Sequence, residues 1–342
     1  MIPSRSVLRH TSLGTATIEQ CPLPQPLSGE VRVKVVAVAL NPIDWKMLHR
    51  QALPDPTVWA ADRIRVGDRV AGMTQGGNTL SPDDGAFAEY VVAKAHALIH
   101  LPKSLSPELG STLPTALFTA GFCLYRHLSL AYPGEAEAIQ STQPVVFIYG
   151  GGTAIGSMQV QLAKLSGLRV VSACSLESFD FVKQCGADVV VDYRDPSCAK
   201  SVVEASKGRQ LATVDCISND ASSAICAAAM EPAGGTYIAC TMRGPAIINP
   251  QVVTTRIVAF AVLGKEFYLD AHSPPFSVVQ YDVDFLEPFV VRAERLVEEG
   301  KIRPIPADIR EGELAAIVDG LVDLKMGRVS SLFDKGAGKF AL

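Results

Sequence analysis

Residues 145–165 have the sequence VVFIYGGGTAIGSMQVQLAKL. The first five are apolar or aromatic and rich in β-branched types, which predicts a buried parallel strand, and three glycines follow directly. The residues from Ser157 to Leu165 then predict a helix. A strand that breaks at glycines into a helix is the turn on which dinucleotide-binding proteins hold a pyrophosphate, because glycine permits close backbone approach and the helix N-terminus attracts the anion. The stretch therefore predicts a nicotinamide-nucleotide site and hydride transfer.

The glycine pattern departs from G-x-G-x-x-G at one position. Gly151 and Gly156 fit the first and third glycines, but Thr153 stands at the second. The motif alone therefore also allows a strand–helix turn of some other α/β protein. The downstream sequence favours nucleotide binding, since strands alternating with helices predict a doubly wound parallel sheet. Further strands are predicted at 168–175, 188–193, 213–217 and 234–239, and a further helix at 179–185.

The end of the second predicted strand bears on the choice of cofactor. Enzymes that prefer NAD carry an acidic residue there, which accepts from the ribose 2′-OH and repels a 2′-phosphate. Here the strand ends in the uncharged Cys174 and Ser175, and Glu177 lies past its end. Tyr193 and Arg194 close the third strand and could reach the same phosphate. NADPH is favoured, and the alternative is that Ser175 caps the next helix and Tyr193 only packs.

The flanking sequence is of a different kind. Short strands separated by proline and glycine, at 31–40, 64–72 and 85–92, predict a small β-barrel before the nucleotide unit. After that unit, a helix is predicted at 285–299, a strand around 302–304 and a helix at 314–326. The chain of 342 residues is therefore expected to form two domains.

Composition excludes several classes of function. A net charge of -4 without a lysine-rich run argues against a nucleic-acid surface, and no apolar stretch is long enough to cross a membrane. The N-terminus lacks the apolar core of a signal peptide. The eight cysteines are scattered, with no C-x-x-C pair, zinc-ligand spacing or disulfide pattern. We expect a cytoplasmic protein without a metal.

Several short motifs carry a resemblance to a known family. They are NPIDWKM at 41–47, VGDRV at 66–70, GAFAEY at 85–90, TAG at 119–121, the glycine turn, QLAK at 161–164, GAD at 186–188, DYR at 192–194 and DCISN at 215–219. In this order they resemble the zinc-free quinone oxidoreductase branch of the medium-chain dehydrogenase/reductase superfamily. Within it, the chain resembles the fungal trans-acting enoyl reductases of polyketide synthases, of the lovastatin-pathway type, over nearly its whole length.

The resemblance implies an α/β protein of two domains. A GroES-like β-barrel catalytic domain is expected at 1–117, a doubly wound Rossmann NADPH-binding domain at 118–268, and a return to the catalytic domain at 269–342. The implied reaction transfers hydride from NADPH to an α,β-unsaturated polyketide thioester. The implied partners are an acyl carrier protein and a polyketide synthase or synthase–peptide synthetase hybrid, with no nucleic acid and no membrane.

The resemblance also implies site residues. Lys46 and Thr119 are expected to be catalytic, with a solvated lysine and a helix cap as the alternative interpretations. The residues expected to bind the cofactor are Gly150, Gly151, Gly152, Thr153, Ala154, Ile155, Ser175, Tyr193, Asn219, Leu263 and Gly264. By itself, Gly264 would only predict a turn. The zinc enzymes of the superfamily have a Cys at the position of Asp44, followed by a Gly-His-Glu block, and this chain has neither.

One departure bears on activity. The superfamily places a Gly-x-Asp-x-x-Gly-x-Val block before the VGDRV strand, whereas here residues 56–63 run almost directly into it. One barrel strand is therefore expected to be missing near 61–64. Three hypotheses follow: a trans-acting enoyl reductase, a stand-alone quinone or enone reductase, and a non-catalytic NADPH-binding relative with an incomplete barrel.

Overall fold

The computed structural model describes residues 4–12, 15–47, 63–78, 80–81, 83–135, 143–207, 210–241, 244–247, 249–268 and 274–328. The chain divides into two compact units. Unit 1 comprises Met1–Pro114 and Phe260–Leu342, and unit 2 comprises Thr115–Ala259. The boundaries expected from the resemblance are 117/118 and 268/269.

The described strands are β1 (Ser4–Ser12), β2 (Thr15–Pro22), β3 (Glu30–Lys34), β4 (Val70–Gly72), β5 (Tyr90–Lys94), β6 (Leu98–His100), β7 (Val145–Tyr149), β8 (Arg169–Cys174), β9 (Val189–Asp192), β10 (Gln210–Asp215), β11 (Gly235–Ala239), β12 (Val252–Arg256), β13 (Phe267–Tyr268) and β14 (Pro275–Phe276). The described helices are α1 (Pro42–Met47), α2 (Pro107–Ser111), α3 (Leu113–Gly121), α4 (Ala154–Leu165), α5 (Phe179–Gln184), α6 (Cys198–Ser206), α7 (Asp220–Met230), α8 (Gln280–Glu298) and α9 (Glu313–Lys325). A π-helical stretch, Phe122–His127, continues α3.

Unit 2 is built around a six-stranded parallel sheet. Its strand order is β12-β11-β10-β7-β8-β9. Read from the other edge, the strands follow the order 3-2-1-4-5-6 within the unit, which is the Rossmann arrangement. All five residues of the central strand β7 are buried, as expected for a parallel strand covered on both faces. The predicted doubly wound sheet is confirmed, and the glycine turn lies at the carboxyl end of β7.

The described strands of unit 1 form antiparallel pairs. They are β1 with β2, β3 with β5, β4 with β6, and β13 with β14. An isolated bridge between Val7 and Ala88 links β1 to the segment before β5. The predicted strand at 31–40 is shorter in the structure, where β3 ends at Lys34. Its last ladder partner is Tyr90, the first residue of β5. The Val35 N–H still donates to the Glu89 carbonyl at 2.9 Å, and a bend at Val36 then ends the extended chain.

The predicted strand around 302–304 is wrong. Residues 302–304 form a bend and irregular chain after α8. Gly300 ends that helix with a φ of 67°, and the N–H groups of Lys301 and Ile302 both donate to the Leu296 carbonyl. These bonds turn the chain back on the helix end, and Pro304 has no N–H to offer a sheet.

The expected missing strand falls largely outside the described residues, which exclude 48–62. Described residues 63–69 form a bend and a turn that lead into β4. The Arg63 guanidinium pairs with Glu294 of α8 and donates to the Leu98 carbonyl of β6. The chain entering β4 is therefore held at Arg63 by an ion pair and a backbone carbonyl.

Among the described helices, none combines the length and the apolar character that a membrane span requires.

Candidate cofactor-binding site

The glycine turn after β7 leaves no room for side chains. A Cβ on Gly151 would lie 2.1 Å from the Ser172 hydroxyl, and one on Gly156 would lie 2.1 Å from the Gly150 carbonyl oxygen. Gly150 has a φ of 86°, which favours glycine. A Cβ on Gly152 would meet the Ser178 hydroxyl at 2.6 Å. Sheet and helix thus approach each other at the glycines, as in a dinucleotide-binding turn.

Thr153 replaces the second glycine of the motif and caps α4. Its hydroxyl accepts from the Gly156 N–H at 3.0 Å and donates to the Gly150 carbonyl at 2.8 Å. The backbone at Thr153 is extended, with a φ of -81°, so this position does not require glycine. The threonine at this position of the motif therefore caps the helix, and its bond to the Gly150 carbonyl also fixes the turn.

The first turn of α4 can bind an anion. The N–H groups of Ala154 and Ile155 open the helix and have no intrahelical acceptor, since they lie in its first turn. They follow the glycines at 150–152, which carry no side chains of their own. The turn thus fits the pyrophosphate of a dinucleotide, which the positive end of the helix dipole would also attract.

Ser175 and Tyr193 lie at the same edge of the sheet. Cys174 pairs with Asp192 in the register of β8 and β9, so the next residue of each strand follows side by side. The Ser175 hydroxyl lies 3.2 Å from that of Ser178. The Tyr193 ring packs against the Tyr149 ring, with centroids 5.9 Å apart.

Glu177 and Arg194 form an ion pair beside these two residues. The Arg194 Nη1 lies 3.5 Å from the Glu177 Oε1, and its guanidinium carbon lies 5.4 Å from the centroid of the Tyr193 ring. Sequence reasoning placed Arg194 within reach of a 2′-phosphate but did not foresee its pairing with Glu177. The sequence feature that bears on this pairing is that Glu177 follows the end of β8 by three positions and Arg194 follows the end of β9 by two.

Asp215, at the end of β10, shapes the loop that follows. Its carboxylate is fully buried and accepts from the N–H groups of Ile217 and Ser218 at 2.9 and 2.8 Å. The hydroxyls of Ser222 and Tyr237 donate to its other oxygen at 2.6 and 2.9 Å. Four donors satisfy the buried charge and fix the loop after β10.

Asn219 ends this loop as the N-cap of α7. Its side-chain oxygen accepts from the Ser222 N–H at 2.9 Å, and the Ser222 hydroxyl accepts from the Asn219 N–H at 3.0 Å. This reciprocal capping box holds Asn219 at the carboxyl edge of the sheet.

Thr119 lies inside α3, where it is buried. Its hydroxyl donates to the Thr115 carbonyl one turn earlier, at 2.6 Å. It is therefore not a helix cap, and the hydroxyl oxygen keeps the capacity to accept.

Lys46, Leu263 and Gly264 belong to unit 1. Lys46 is in α1, and its side chain lies outside the described part of the structure. At the start of the same helix, Asp44 accepts from the Asn41 N–H at 2.6 Å. Burial raises the pKa of Asp44 to about 7, although that bond lowers it. Asp44 is therefore partly protonated near neutral pH.

Buried charges fix the segment that contains Leu263 and Gly264. The Lys265 ammonium lies 3.2 Å from Glu30 and 2.7 Å from Asp84, and Lys94 lies 3.1 Å from the same Glu30 oxygen. The Glu30 and Lys94 side chains are 4% and 3% exposed, so these charges depend on one another. Burial raises the pKa of Glu30, but the Leu27 N–H and the two lysines lower it by more.

Two further bonds hold this segment on either side of Gly264. The His96 Nε2 lies 3.1 Å from the Val262 carbonyl, and the Asn78 amide donates to the Glu266 carbonyl at 3.0 Å. Burial lowers the pKa of His96 even though the bond to Val262 raises it, so the neutral ring donates through Nε2. Gly264 itself has a φ of 68°, which favours glycine.

The cysteines are free thiols in this structure. In the described part of the chain, no group of three or more His, Cys, Asp or Glu residues is arranged to hold a metal ion.

Comparison with known proteins gives two kinds of likeness. Residues 154–265 match the family described as zinc-binding dehydrogenase. The trans-enoyl reductase ACTTS2 of Alternaria alternata is 37% identical over 96% of this chain and 97% of its own length. The trans-enoyl reductases caaB of Aspergillus niger and FSL5 of Gibberella zeae are 35% and 34% identical, over 89% and 91% of this chain and 88% and 90% of their own lengths.

Solved structures share the fold at lower identity. An alcohol dehydrogenase superfamily protein from Novosphingobium aromaticivorans has a TM-score of 0.73 at 20% identity, covering 99% of this chain and 98% of its own. The CurK enoyl reductase has a TM-score of 0.69 at 16% identity, with coverages of 96% and 97%. The mycobacterial Rv1454c, solved with NADPH, has a TM-score of 0.65 at 21% identity, with coverages of 94% and 96%.

Proposed function

The chain belongs to the fungal trans-acting enoyl reductases of the medium-chain dehydrogenase/reductase superfamily, which makes it a nicotinamide-dependent oxidoreductase, and we propose that it reduces α,β-unsaturated polyketide thioesters with NADPH. The observation that carries this proposal is the glycine turn of unit 2. The turn offers the bare backbone and the first-turn N–H groups that a dinucleotide pyrophosphate requires.

NADPH is proposed over NADH because the end of β8 carries Ser175 where NAD enzymes carry an acid. Ser175 and Tyr193 are neighbours at the ends of β8 and β9, so both hydroxyls could bind a 2′-phosphate. The mycobacterial Rv1454c, which shares the fold, was solved with NADPH, and this also supports NADPH as the cofactor proposed here. Gly150 to Ile155 would hold the pyrophosphate, and Asn219 lies in a loop at the same edge of the sheet.

The remaining site residues are proposed from the resemblance. When bound, NADPH supplies the hydride that adds to the β-carbon of the thioester. Lys46 would orient the acyl thioester or donate to its oxygen, which gains negative charge during the reduction. Thr119 and the Leu263–Gly264 backbone would orient the nicotinamide. We also propose that the strand pairs of unit 1 belong to a GroES-like barrel.

The partner and the location are proposed from the same membership. We propose that the acyl substrate arrives on the acyl carrier protein of a polyketide synthase, or of a synthase–peptide synthetase hybrid, and that the protein works in the cytoplasm. The relatives to which the chain is similar are named trans-enoyl reductases. This name supports a reductase that acts in trans, on an acyl group carried by another protein.

The test compares substrates of different classes at equal NADPH. The purified chain is given an enoyl group on a carrier protein, the same enoyl group on pantetheine, and a free quinone. We expect oxidation of NADPH fastest with the carrier-borne thioester. Turnover of the quinone alone would favour the stand-alone reductase, and NADPH binding without any turnover would favour the non-catalytic relative.

Lys46→Ser provides a second arm of this test. The variant should lose thioester turnover while its NADPH affinity stays within about 2-fold, because Lys46 is proposed to contact the acyl thioester and not NADPH. Turnover at the parent rate would make Lys46 an ordinary surface lysine.

A further inference from the structure

The Glu177–Arg194 pair lies at the ends of two neighbouring parallel strands. Glu177 is in the short 3-10 turn Leu176–Ser178 after β8, and Arg194 follows β9 by two residues. Their charged atoms are 3.5 Å apart, and the guanidinium lies over the Tyr193 ring. The pair therefore borders Ser175 and Tyr193, the residues proposed to bind the ribose 2′-phosphate.

Breaking the Glu177–Arg194 ion pair costs little free energy. The two side chains are 64% and 53% exposed, and ion pairs in such surroundings contribute little to stability. A phosphate carries more negative charge than a carboxylate and accepts two parallel hydrogen bonds from a guanidinium. Arg194 would therefore leave Glu177 for a phosphate placed beside it.

The Glu177 carboxylate stays ionised when Arg194 moves from it to the phosphate. Its own backbone N–H, the Ser175 hydroxyl and Arg194 lower the pKa of Glu177, so its carboxylate is ionised at neutral pH. A nearby carboxylate repels a 2′-phosphate, whereas it can accept from a ribose 2′-OH.

We propose that Glu177 and Arg194 together set the discrimination between NADPH and NADH, with Arg194 binding the 2′-phosphate and Glu177 opposing it. Glu177 would keep the ratio of NADPH affinity to NADH affinity below the value that Arg194, Ser175 and Tyr193 would give without it. This inference rests on the proposed use of NADPH by the site in unit 2.

Opposite effects are expected from the two substitutions. Glu177→Gln removes the repulsion with little change in shape and should tighten NADPH about 3- to 10-fold, because a close like charge is removed from a screened surface site. Arg194→Gln should weaken NADPH about 10-fold through loss of a charge-assisted contact. NADH affinity should stay within about 2-fold in Arg194→Gln, since NADH has no 2′-phosphate.

The experiment titrates the full-length chain with NADPH, NADH, 2′,5′-ADP and 5′-AMP by calorimetry. The matched control is Glu204→Gln, which removes a carboxylate from the exposed Lys200–Glu204 pair of α6 in the same unit. The control should bind all four ligands like the parent. The gain in Glu177→Gln should appear with NADPH and 2′,5′-ADP, be absent with 5′-AMP, and shrink as salt is raised.

Two results would overturn the inference. One is an unchanged NADPH affinity in Glu177→Gln, and the other is an equal loss of NADPH and NADH affinity in Arg194→Gln. If either occurs while the parent binds NADPH and reduces enoyl thioesters, only this inference fails. If the parent binds neither NADPH nor 2′,5′-ADP, the proposed use of NADPH fails with it.

Discussion

The Thr153 hydroxyl accepts a hydrogen bond from the Gly156 N–H at 3.0 Å and so caps α4 at the point where the motif has its second glycine. Thr153→Ala should destabilise the protein by about 1 kcal/mol, the usual effect of losing an N-cap. A melting temperature lower by about 2–4 °C is the expected readout for a domain of this size. Thr153→Ser keeps the hydroxyl and should melt like the parent. Equal melting of the alanine variant and the parent would show that the cap contributes nothing.

Gly151 should tolerate alanine only if Ser172 also changes. A Cβ at Gly151 would lie 2.1 Å from the Ser172 hydroxyl but 3.2 Å from Val182 and 3.3 Å from the Ser172 Cβ. Gly151→Ala should therefore weaken NADPH binding at least about 10-fold, equivalent to about 1.4 kcal/mol, and lower the melting temperature.

The double variant Gly151→Ala with Ser172→Ala removes the closest clash and should recover most of both losses. Ser172→Ala alone is the control, since it also loses the hydrogen bond to the Ile148 carbonyl. A double variant no better than Gly151→Ala would place the cause elsewhere in the turn.

Loss of the Glu30 charge should destabilise unit 1. Glu30→Gln leaves Lys94 and Lys265 without their shared carboxylate, and removing one partner of a buried ion pair costs about 3 kcal/mol. The measurement is the free energy of unfolding in urea. Glu19→Gln breaks the partly exposed pair with Arg9 and should change that free energy by less than about 0.5 kcal/mol. Equal effects of the two substitutions would mean that the buried cluster is no more important than a surface pair.

Asp44 should make stability depend on pH. Its folded pKa of about 7 lies above the value near 3.9 expected in the unfolded chain. The ionised carboxylate therefore destabilises the fold above pH 7, and this penalty disappears as the pH falls from 7 towards 4. Asp44→Asn keeps an acceptor for the Asn41 N–H but carries no charge. It should melt above the parent at pH 8 and close to it at pH 4. A difference that is the same at both pH values would contradict the raised pKa.

The sheet of unit 2 could be predicted because its signals are local. An apolar run ended by glycines defines β7, and an apolar run that begins just after Gly167 defines β8. The lengths of both strands are close to those predicted. The strand at 31–40 was predicted too long because its end depends on where its partner β5 begins, which local sequence does not specify. The strand around 302–304 was wrong because the chain instead turns back on the end of α8.

The site could be predicted where one segment forms it, as at the glycine turn. The Glu177–Arg194 pair depends on the register of β8 against β9, and the pairing of Lys265 with Glu30 joins residues more than 200 positions apart. Such contacts follow from the fold as a whole and leave no local pattern. The cap by Thr153 shows the reverse case, in which an apparent defect in the motif has a local structural role.

The most direct test of enoyl reduction follows the hydride itself. The chain is incubated with an enoyl group on a carrier protein and NADPH carrying deuterium at both hydrogen positions of the nicotinamide C4, and the released acyl product is analysed by mass spectrometry. We expect one deuterium at the β-carbon and a solvent-derived hydrogen at the α-carbon. A product without deuterium, or an unreduced thioester beside tightly bound NADPH, would contradict the assignment of the chain as an active enoyl reductase.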